Sequence, residues 1–265
     1  MKNLSQYGEL AKLFHLNTKN IIIESSTHLS NYEKFPQKKK VFTKERIKLS
    51  SSYENNSLYD SLNNRKSYKL LDYRIPIDLY ELSELLVLSY CGRNTNDPKS
   101  SNFIKSVPSA GGRYPLSLFI FAFNIIGIEQ GIYYWDPFET CIGLVKRGDF
   151  RDHLSNAISN VNKNDIEKCS FAIVITANID QTISKYGNRG YRHICMDVGY
   201  VSQNLYLMSS YLKIATRAVA GFYDDKLANL LCNMSSDEPM LVHLFGKELT
   251  PVHQQLNLSS SDFIN

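Results

Sequence analysis

Between residues 189 and 213, Tyr191, Ile194, Cys195, Val198, Val201, Leu205, Met208 and Leu212 recur at helical spacing and line one face. This is the longest helical pattern in the chain. Two apolar runs precede it. Residues 117–123 lie in the run LSLFIFAF and are apolar on both faces, as a central strand is. The run FAIVITAN at 171–178 reads as a second buried strand. A third, PMLVHLFG at 239–246, reads as a last strand.

Other segments add to this frame. In IDLYELSELLVLSYCG, Asp78 is placed to cap a helix, with Glu81 three residues later. Leu79, Leu82, Leu85 and Leu86 share a face of that helix, and Gly92 ends it. Residues 93–106 read as a polar loop. The stretch GIYYWDPFETCIGLVKRGDF reads as a hairpin turning at Asp136–Pro137. RDHLSNAIS reads as a short helix, and GFYDDKLANLLC as a turn followed by a capped helix. Strands separated by helices imply an α+β or α/β domain.

At 265 residues the chain is long enough for one large domain or a domain with an extension. Residues 1–60 read as an N-terminal extension, closed by the polar cluster SSSYENNS at 50–57, and residues 61–265 as the main domain. The extension holds ten Lys and Arg against six Asp and Glu, including KKK at 38–40, Lys44, Arg46 and Lys48; the other 205 residues are neutral. A solvated face explains this excess, and so does a docking surface for an acidic partner or peptide. Nucleic acid is a poor third explanation, because no binding motif accompanies the charge.

The cysteines, Cys91, Cys141, Cys169, Cys195 and Cys232, are odd in number and form no C-x-x-C pair. A disulfide framework or a structural zinc is not expected. They read as buried thiols in a reducing cytoplasm. The histidines show no metal-ligand spacing, so no metal is expected. The N-terminus lacks an apolar core of signal-peptide type. The longest apolar region, Leu118–Ile128, is interrupted by Asn124 and falls short of the ~20 residues of a membrane helix.

Four stretches could carry chemistry. Arg65-Lys66-Ser67-Tyr68-Lys69 offers three cations and a hydroxyl, a donor set that suits a phosphate. In SVPSAGGRYP (106–115), small residues allow the backbone to approach a planar ligand. In SKYGNRGYRH (184–193), Lys185 stands beside Tyr186, a possible acid/base pair: a Tyr phenol with an ordinary pKa near ~10 would be favoured as phenolate by a neighbouring ammonium, and a desolvated Lys could itself act as a neutral base. In AVAGFYDD (218–225), Gly221 precedes a capped helix and could present backbone donors. Singly, each has a plain structural explanation: a basic surface cluster, a turn, a solvated Lys beside a half-buried Tyr, a helix lead-in.

Together, in this order and spacing, RKSYK, PSAGGRYP, KYGNRGYRH and AGFYDD resemble the SagB-type dehydrogenases, the McbC-like branch of the nitroreductase family, over residues ~60 to ~247. The resemblance implies a nitroreductase-like α+β fold, with a central, mainly antiparallel sheet flanked by helices. It implies FMN as cofactor. Arg65, Lys66 and Ser67 would hold its phosphate and ribityl chain, and Lys69 would approach the N1/O2 edge. Pro108, Ser109, Ala110 and Gly111 would line the isoalloxazine, and Ala220 and Gly221 would face N5 and O4. Many nitroreductases have Pro-Ile-Glu-Gly at that last segment; this chain has Ala-Val-Ala-Gly and lacks the carboxylate. Lys247 is the candidate for the cation that often completes the phosphate site.

By the same resemblance, Lys185 and Tyr186 match the base pair with which the branch oxidises peptide thiazolines and oxazolines to thiazoles and oxazoles. Such enzymes work in the cytoplasm as homodimers, with a cyclodehydratase, on a precursor peptide carrying a leader, and oxygen reoxidises the flavin. Neither nucleic acid nor membrane is an expected partner. Two alternatives remain at the level of sequence: a general FMN nitroreductase using NAD(P)H, which needs no such base, and a flavin-binding scaffold subunit without turnover.

Overall fold

The structure, a computed structural model, describes residues 8–19, 56–69, 71–72, 74–94, 103–159, 163–231 and 237–249. The basic run 38–48, most of the 50–57 cluster, positions 95–102 of the 93–106 loop and Cys232 lie outside the described residues. In chain order the helices are α1 (Glu9–Thr18), α2 (Ser57–Asn64), α3 (Leu79–Ser89), α4 (Arg151–Ala157), α5 (Lys163–Glu167), α6 (Ile179–Tyr186), α7 (Gly190–Tyr211) and α8 (Asp224–Leu231). The strands are β1 (Leu71–Asp72), β2 (Ile77–Asp78), β3 (Gly92–Asn94), β4 (Phe103–Lys105), β5 (Leu116–Ala122), β6 (Ile125–Ile126), β7 (Gly131–Asp136), β8 (Cys141–Arg147), β9 (Phe171–Ala177), β10 (Ala215–Val219) and β11 (Glu238–Glu248).

The main sheet runs β1-β11-β9-β5-β7-β8, and β10 joins the free edge of β11 beside β1. Every ladder in it is antiparallel. The two short pairs, β2 with β6 and β3 with β4, stand apart. β9 sits between β5 and β11 with all seven residues buried. Its unbroken apolar run is therefore a covered central strand, as the sequence implied.

One layer of core lies between this sheet and the helices α3 and α7; Leu82, Leu85, Ile120, Ile173, Ile194, Val201 and Leu205 are fully buried there. The other face of β5 and β9 packs with α4 and α8 through Phe121, Val174, Leu154 and Leu227. The architecture is α+β, a mainly antiparallel sheet flanked by helices.

Local signals explain several boundaries. The Asp78 side chain accepts from the Glu81 N–H at 2.7 Å, and the Glu81 carboxylate accepts from the Asp78 N–H at 3.1 Å, closing the capping box of α3. The hairpin turns at 137–140 between β7 and β8, where Asp136 Oδ1 accepts from the Phe138 and Glu139 N–H groups. On α7 the buried residues are Ile194, Val198, Val201 and Leu205, whereas Cys195 is exposed.

The expectation of buried thiols needs correction. Cys169 is buried, Cys91 is half-buried, and Cys141 and Cys195 are exposed. Cys141 opens the edge strand β8, and Cys195 lies beside the buried stripe of α7, so neither has a covering layer. Burial pushes the Cys169 thiol up to about 12, which makes it inert.

Three further elements appear that the sequence reading did not anticipate. α6 carries Lys185 and Tyr186. β10 pairs five residues with β11. α1, within the first 60 residues, packs on the body: Ala11 and His15 are buried, and the Ala11 N–H donates to Asn188 Oδ1 at 3.0 Å.

Candidate active site at the α6–α7 corner

α6 starts at the Asn178 side chain, which accepts from the Gln181 N–H at 3.0 Å. Its last turn carries Lys185 and Tyr186. Gly187 then takes φ 57°, a left-handed turn that stops the helix, and the 3-10 turn Gly187–Arg189 leads into α7. Gly190 lets the two helices meet closely: a β-carbon there would stand 2.9 Å from Ile183 Cα. Lys185 is exposed and Tyr186 half-buried, with the ammonium 5.4 Å from the Tyr186 ring centroid. The His193 ring meets Tyr186 edge-on at 4.9 Å.

The 108–115 loop is tied to this corner. Ser109 Oγ donates to Asp197 Oδ2 of α7 at 2.6 Å and accepts from the Tyr114 N–H at 2.9 Å. Arg113 donates to Ser184 Oγ at 3.2 Å, and the Gln181 amide donates to the Arg113 carbonyl. Burial raises the Asp197 carboxyl above the usual carboxylate range, against the Ser109 hydrogen bond and the nearby His193.

Held this way, Gly111 has φ 59° and its Cα faces the two predicted chemical residues. A β-carbon would collide with Tyr186 Oη and come within 2.6 Å of Lys185 Nζ. The bare backbone of SAGG is thus required by side chains of the same chain. Its amide plane and the Lys–Tyr pair form one surface. Pro108 is exposed, and Ser109 and Ala110 are half-buried.

The 65–69 segment is built elsewhere. Arg65 follows α2, and its guanidinium lies 5.3 Å from the Tyr206 ring centroid. Tyr206 Oη is 2.9 Å from Ser67 Oγ and accepts from the Ala218 N–H at 2.9 Å, so one phenol joins the segment to β10. The Tyr68 N–H donates to the Thr216 carbonyl at 3.1 Å. Lys66 pairs with Glu248 at 2.9 Å, and Lys69 is exposed. Ala220 and Gly221 follow β10; Ala220 is exposed, and the Gly221 carbonyl accepts from the Ser159 N–H at 2.9 Å. Lys247 is paired with Glu81.

The structure therefore joins two of the four motifs directly, 108–111 with 185–186, and links 65–67 to β10 just ahead of 220–221. Among the described residues, no hydrogen bond, ion pair or ring contact connects residues 65–69 to residues 108–111.

Sequence reasoning passed over Tyr206, His193 and Asp197. The four-residue spacing of His193 and Asp197 on α7 is the signal that could have found the last two; nothing local marks Tyr206. Among the described residues no cluster of His, Cys, Asp and Glu could hold a metal ion, and no helix is long and apolar enough to cross a membrane.

Residues 62–247 match the Nitroreductase family. The Methanocaldococcus jannaschii protein MJ1384, named as a nitroreductase, is 31% identical over 174 residues, covering 66% of this chain and 83% of that protein. The Escherichia coli microcin B17-processing protein McbC is 24% identical over 232 residues, covering 84% and 80%. A chain of the Escherichia coli microcin synthetase McbBCD complex, solved with truncated pro-MccB17 bound, superposes with a TM-score of 0.66 at 22% identity over 93% of this chain and 97% of that one. A nitroreductase structure from Anabaena variabilis superposes with a TM-score of 0.62 at 22% identity over 72% of this chain, which spans 38% of that protein's length. The fold, the matched span and the sequence relatives agree: this chain belongs to the nitroreductase family, and McbC is a homologue.

Proposed function

We propose that the protein is an FMN-dependent azoline dehydrogenase that converts thiazolines or oxazolines of a precursor peptide to the aromatic azoles. The observation that carries this reading is the contact of Gly111 with both Lys185 and Tyr186. A reductase of nitro compounds needs no base, whereas aromatising an azoline requires a proton to leave a ring carbon. Similarity to McbC supports the same assignment.

The residues present fit FMN. Arg65 and Ser67 are pre-positioned on Tyr206 and offer a guanidinium and a hydroxyl of the kind that binds phosphate. The loop around Gly111 offers backbone without side chains. When bound, FMN would supply the two-electron acceptor for the hydride that leaves the ring. Pro108, Ser109, Ala110 and Gly111 would lie along the isoalloxazine, with Lys66, Lys69, Ala220 and Gly221 as the remaining contacts.

Lys185 and Tyr186 would take the ring proton. In one arrangement Tyr186 acts as phenolate beside the Lys185 ammonium; in the other, neutral Lys185 takes the proton and Tyr186 orients it. His193 packs on the Tyr186 ring and limits its rotation. Asp197 fixes Ser109, and through it the loop that faces the pair.

We extend the reading to a homodimer that acts within a complex with a cyclodehydratase, on a leader-bearing precursor. The superposition on a chain of the McbBCD complex supports it. The first 60 residues, which hold the net positive charge, are the proposed docking region.

The decisive experiment is mass spectrometry of a cyclised precursor incubated with the purified protein. Each azoline oxidised loses two hydrogens. Tyr186→Phe and Lys185→Met should each lower azole formation ~10²–10⁴-fold, the range a positioned base contributes, while the protein stays yellow. Arg65→Ala should weaken FMN binding by ~1.5–3 kcal/mol, read by flavin fluorescence. A protein that takes up no FMN, or both base variants working at wild-type rate, would sink the assignment.

The identity to MJ1384 favours a second reading, an NAD(P)H-dependent nitroreductase. Rapid reduction of a nitroarene by NADPH, with no azole formed, would select it.

A further inference from the structure

One buried cation stands outside the site described so far. Lys105 ends β4 and is 7% exposed. Its Nζ donates to Tyr90 Oη at 2.7 Å. That hydroxyl donates onward to the Leu116 carbonyl at 2.9 Å, and burial holds the phenol far above its usual range. Tyr90 therefore accepts from Lys105 as a neutral group. Ring centroids of Tyr90, Phe138 and Tyr114 lie 4.2, 5.2 and 5.6 Å from Nζ.

An ammonium has three N–H donors, and Tyr90 takes one. Among the described residues, Lys105 forms no salt bridge. Asp136 acts on it from longer range, and its Oδ1 is occupied by two backbone N–H groups. A charge buried without a counter-ion is costly. Burial accordingly draws this lysine down to about 8.

The same side chain lines a cavity of about 460 Å³, walled by Tyr114, Tyr134 and Phe138 and by the polar side chains of Asn178 and Gln181. Arg113 and Asp237 also border it and oppose each other in sign. The cavity shares Gly112 and Arg113 with the loop that meets Lys185, and Gln181 precedes Lys185 by one turn of α6.

We propose that this cavity is a carboxylate-binding subsite, in which Lys105 supplies the charge and the three rings pack against the apolar body of the ligand. Its position beside the Lys185–Tyr186 corner makes the ligand a peptide segment, bearing either a C-terminal carboxylate or an Asp or Glu side chain. The peptide character rests on the function proposed above; the carboxylate requirement rests on Lys105 alone. A bound carboxylate also stabilises the ammonium, so binding should weaken as pH rises through about 8, where the unliganded lysine loses its proton.

The test is a nuclear magnetic resonance titration of the full chain labelled with 13C at lysine Cε. The probes are N-acetylglycylphenylalanine as free acid, the same peptide as its amide, and N-acetylaspartylphenylalanine amide. The expected result is a saturable shift of one lysine signal with an acidic probe, at least tenfold tighter binding than the uncharged amide, and a raised titration midpoint for that lysine. Lys105→Met should lose this preference and Lys105→Arg should keep part of it, with circular dichroism verifying that both are folded. Binding of the free acid identifies a C-terminal carboxylate; binding of the aspartyl peptide identifies a side chain.

Equal binding of acids and amide, equal binding by wild type and Lys105→Met, or no saturable response overturns the subsite. Because the titration needs no turnover, azole formation without carboxylate preference sinks the subsite alone. Carboxylate binding by a protein that oxidises no azoline sinks only the activity.

Discussion

Two lysines border the 108–114 loop, and they live in different solvents. Lys185, on the last turn of α6, is exposed and touches the loop only where Gly111 has no side chain. Lys105, at the end of β4, is buried among aromatic rings with one neutral hydroxyl for a partner. The first can change its protonation partner freely, because water reaches it and a substrate can displace that water. The second cannot ionise cheaply, so its charge depends on what enters the cavity. The same functional group thus suits moving a proton in one place and holding an anion in the other. What separates the roles is packing around the amine and not the amine itself.

The largest effect that would break this contrast comes from the loop. Gly111→Val adds a branched side chain where the backbone is left-handed and where Tyr186 and Lys185 already occupy the space. The pair must move away from the loop, and azole formation should fall by the ~10²–10⁴-fold assigned to the base itself. Near wild-type turnover in this variant would show that the contact is incidental.

A smaller effect would sharpen the comparison from the other side. The ordinary Lys105 value is 10.5 and the folded one is about 8, so between those values the unfolded chain binds more protons. Stability should therefore rise with pH from about 8 to 10.5, by roughly 3 kcal/mol in all. Urea unfolding of wild type against Lys105→Met reads this directly. The difference between the two should shrink across that window, and a constant difference would place Lys105 in a wetter site than its burial implies.

The smallest effect is the matching control. Lys185→Met removes an exposed charge that forms no salt bridge among the described residues, so its unfolding midpoint should stay within about 0.5 kcal/mol of wild type at any pH. A larger loss would mean that Lys185 is structural, and the loss of activity in that variant would then say nothing about proton transfer.

The frame of the molecule was legible from local rules. The runs at 117–123 and 171–178 are apolar at every step because both faces of β5 and β9 are covered. Asp78 and Glu81 announced α3 because a capping box is a contact between near neighbours. β10 was not legible: Ala-Thr-Arg-Ala-Val has weak alternation, and it is a strand because β11 offers it a free edge. α6 was hidden for a related reason. Its polar face, Asp180, Gln181 and Ser184, resembles a loop, and only the burial of Ile179, Thr182 and Ile183 makes it a helix.

The site divides along the same line. Sequence by itself determined which residues carry chemistry, Arg65, Ser67, Gly111, Lys185 and Tyr186, because motif identity and glycine placement are properties of the chain. The tertiary structure alone decided which of them meet. Gly111 touches Lys185 and Tyr186 across more than seventy residues, Tyr206 holds Ser67 to Ala218, and Lys105 lies buried without a counter-ion. Each of these depends on non-local packing, which fixes distance and dielectric together, and neither quantity is written in the order of residues.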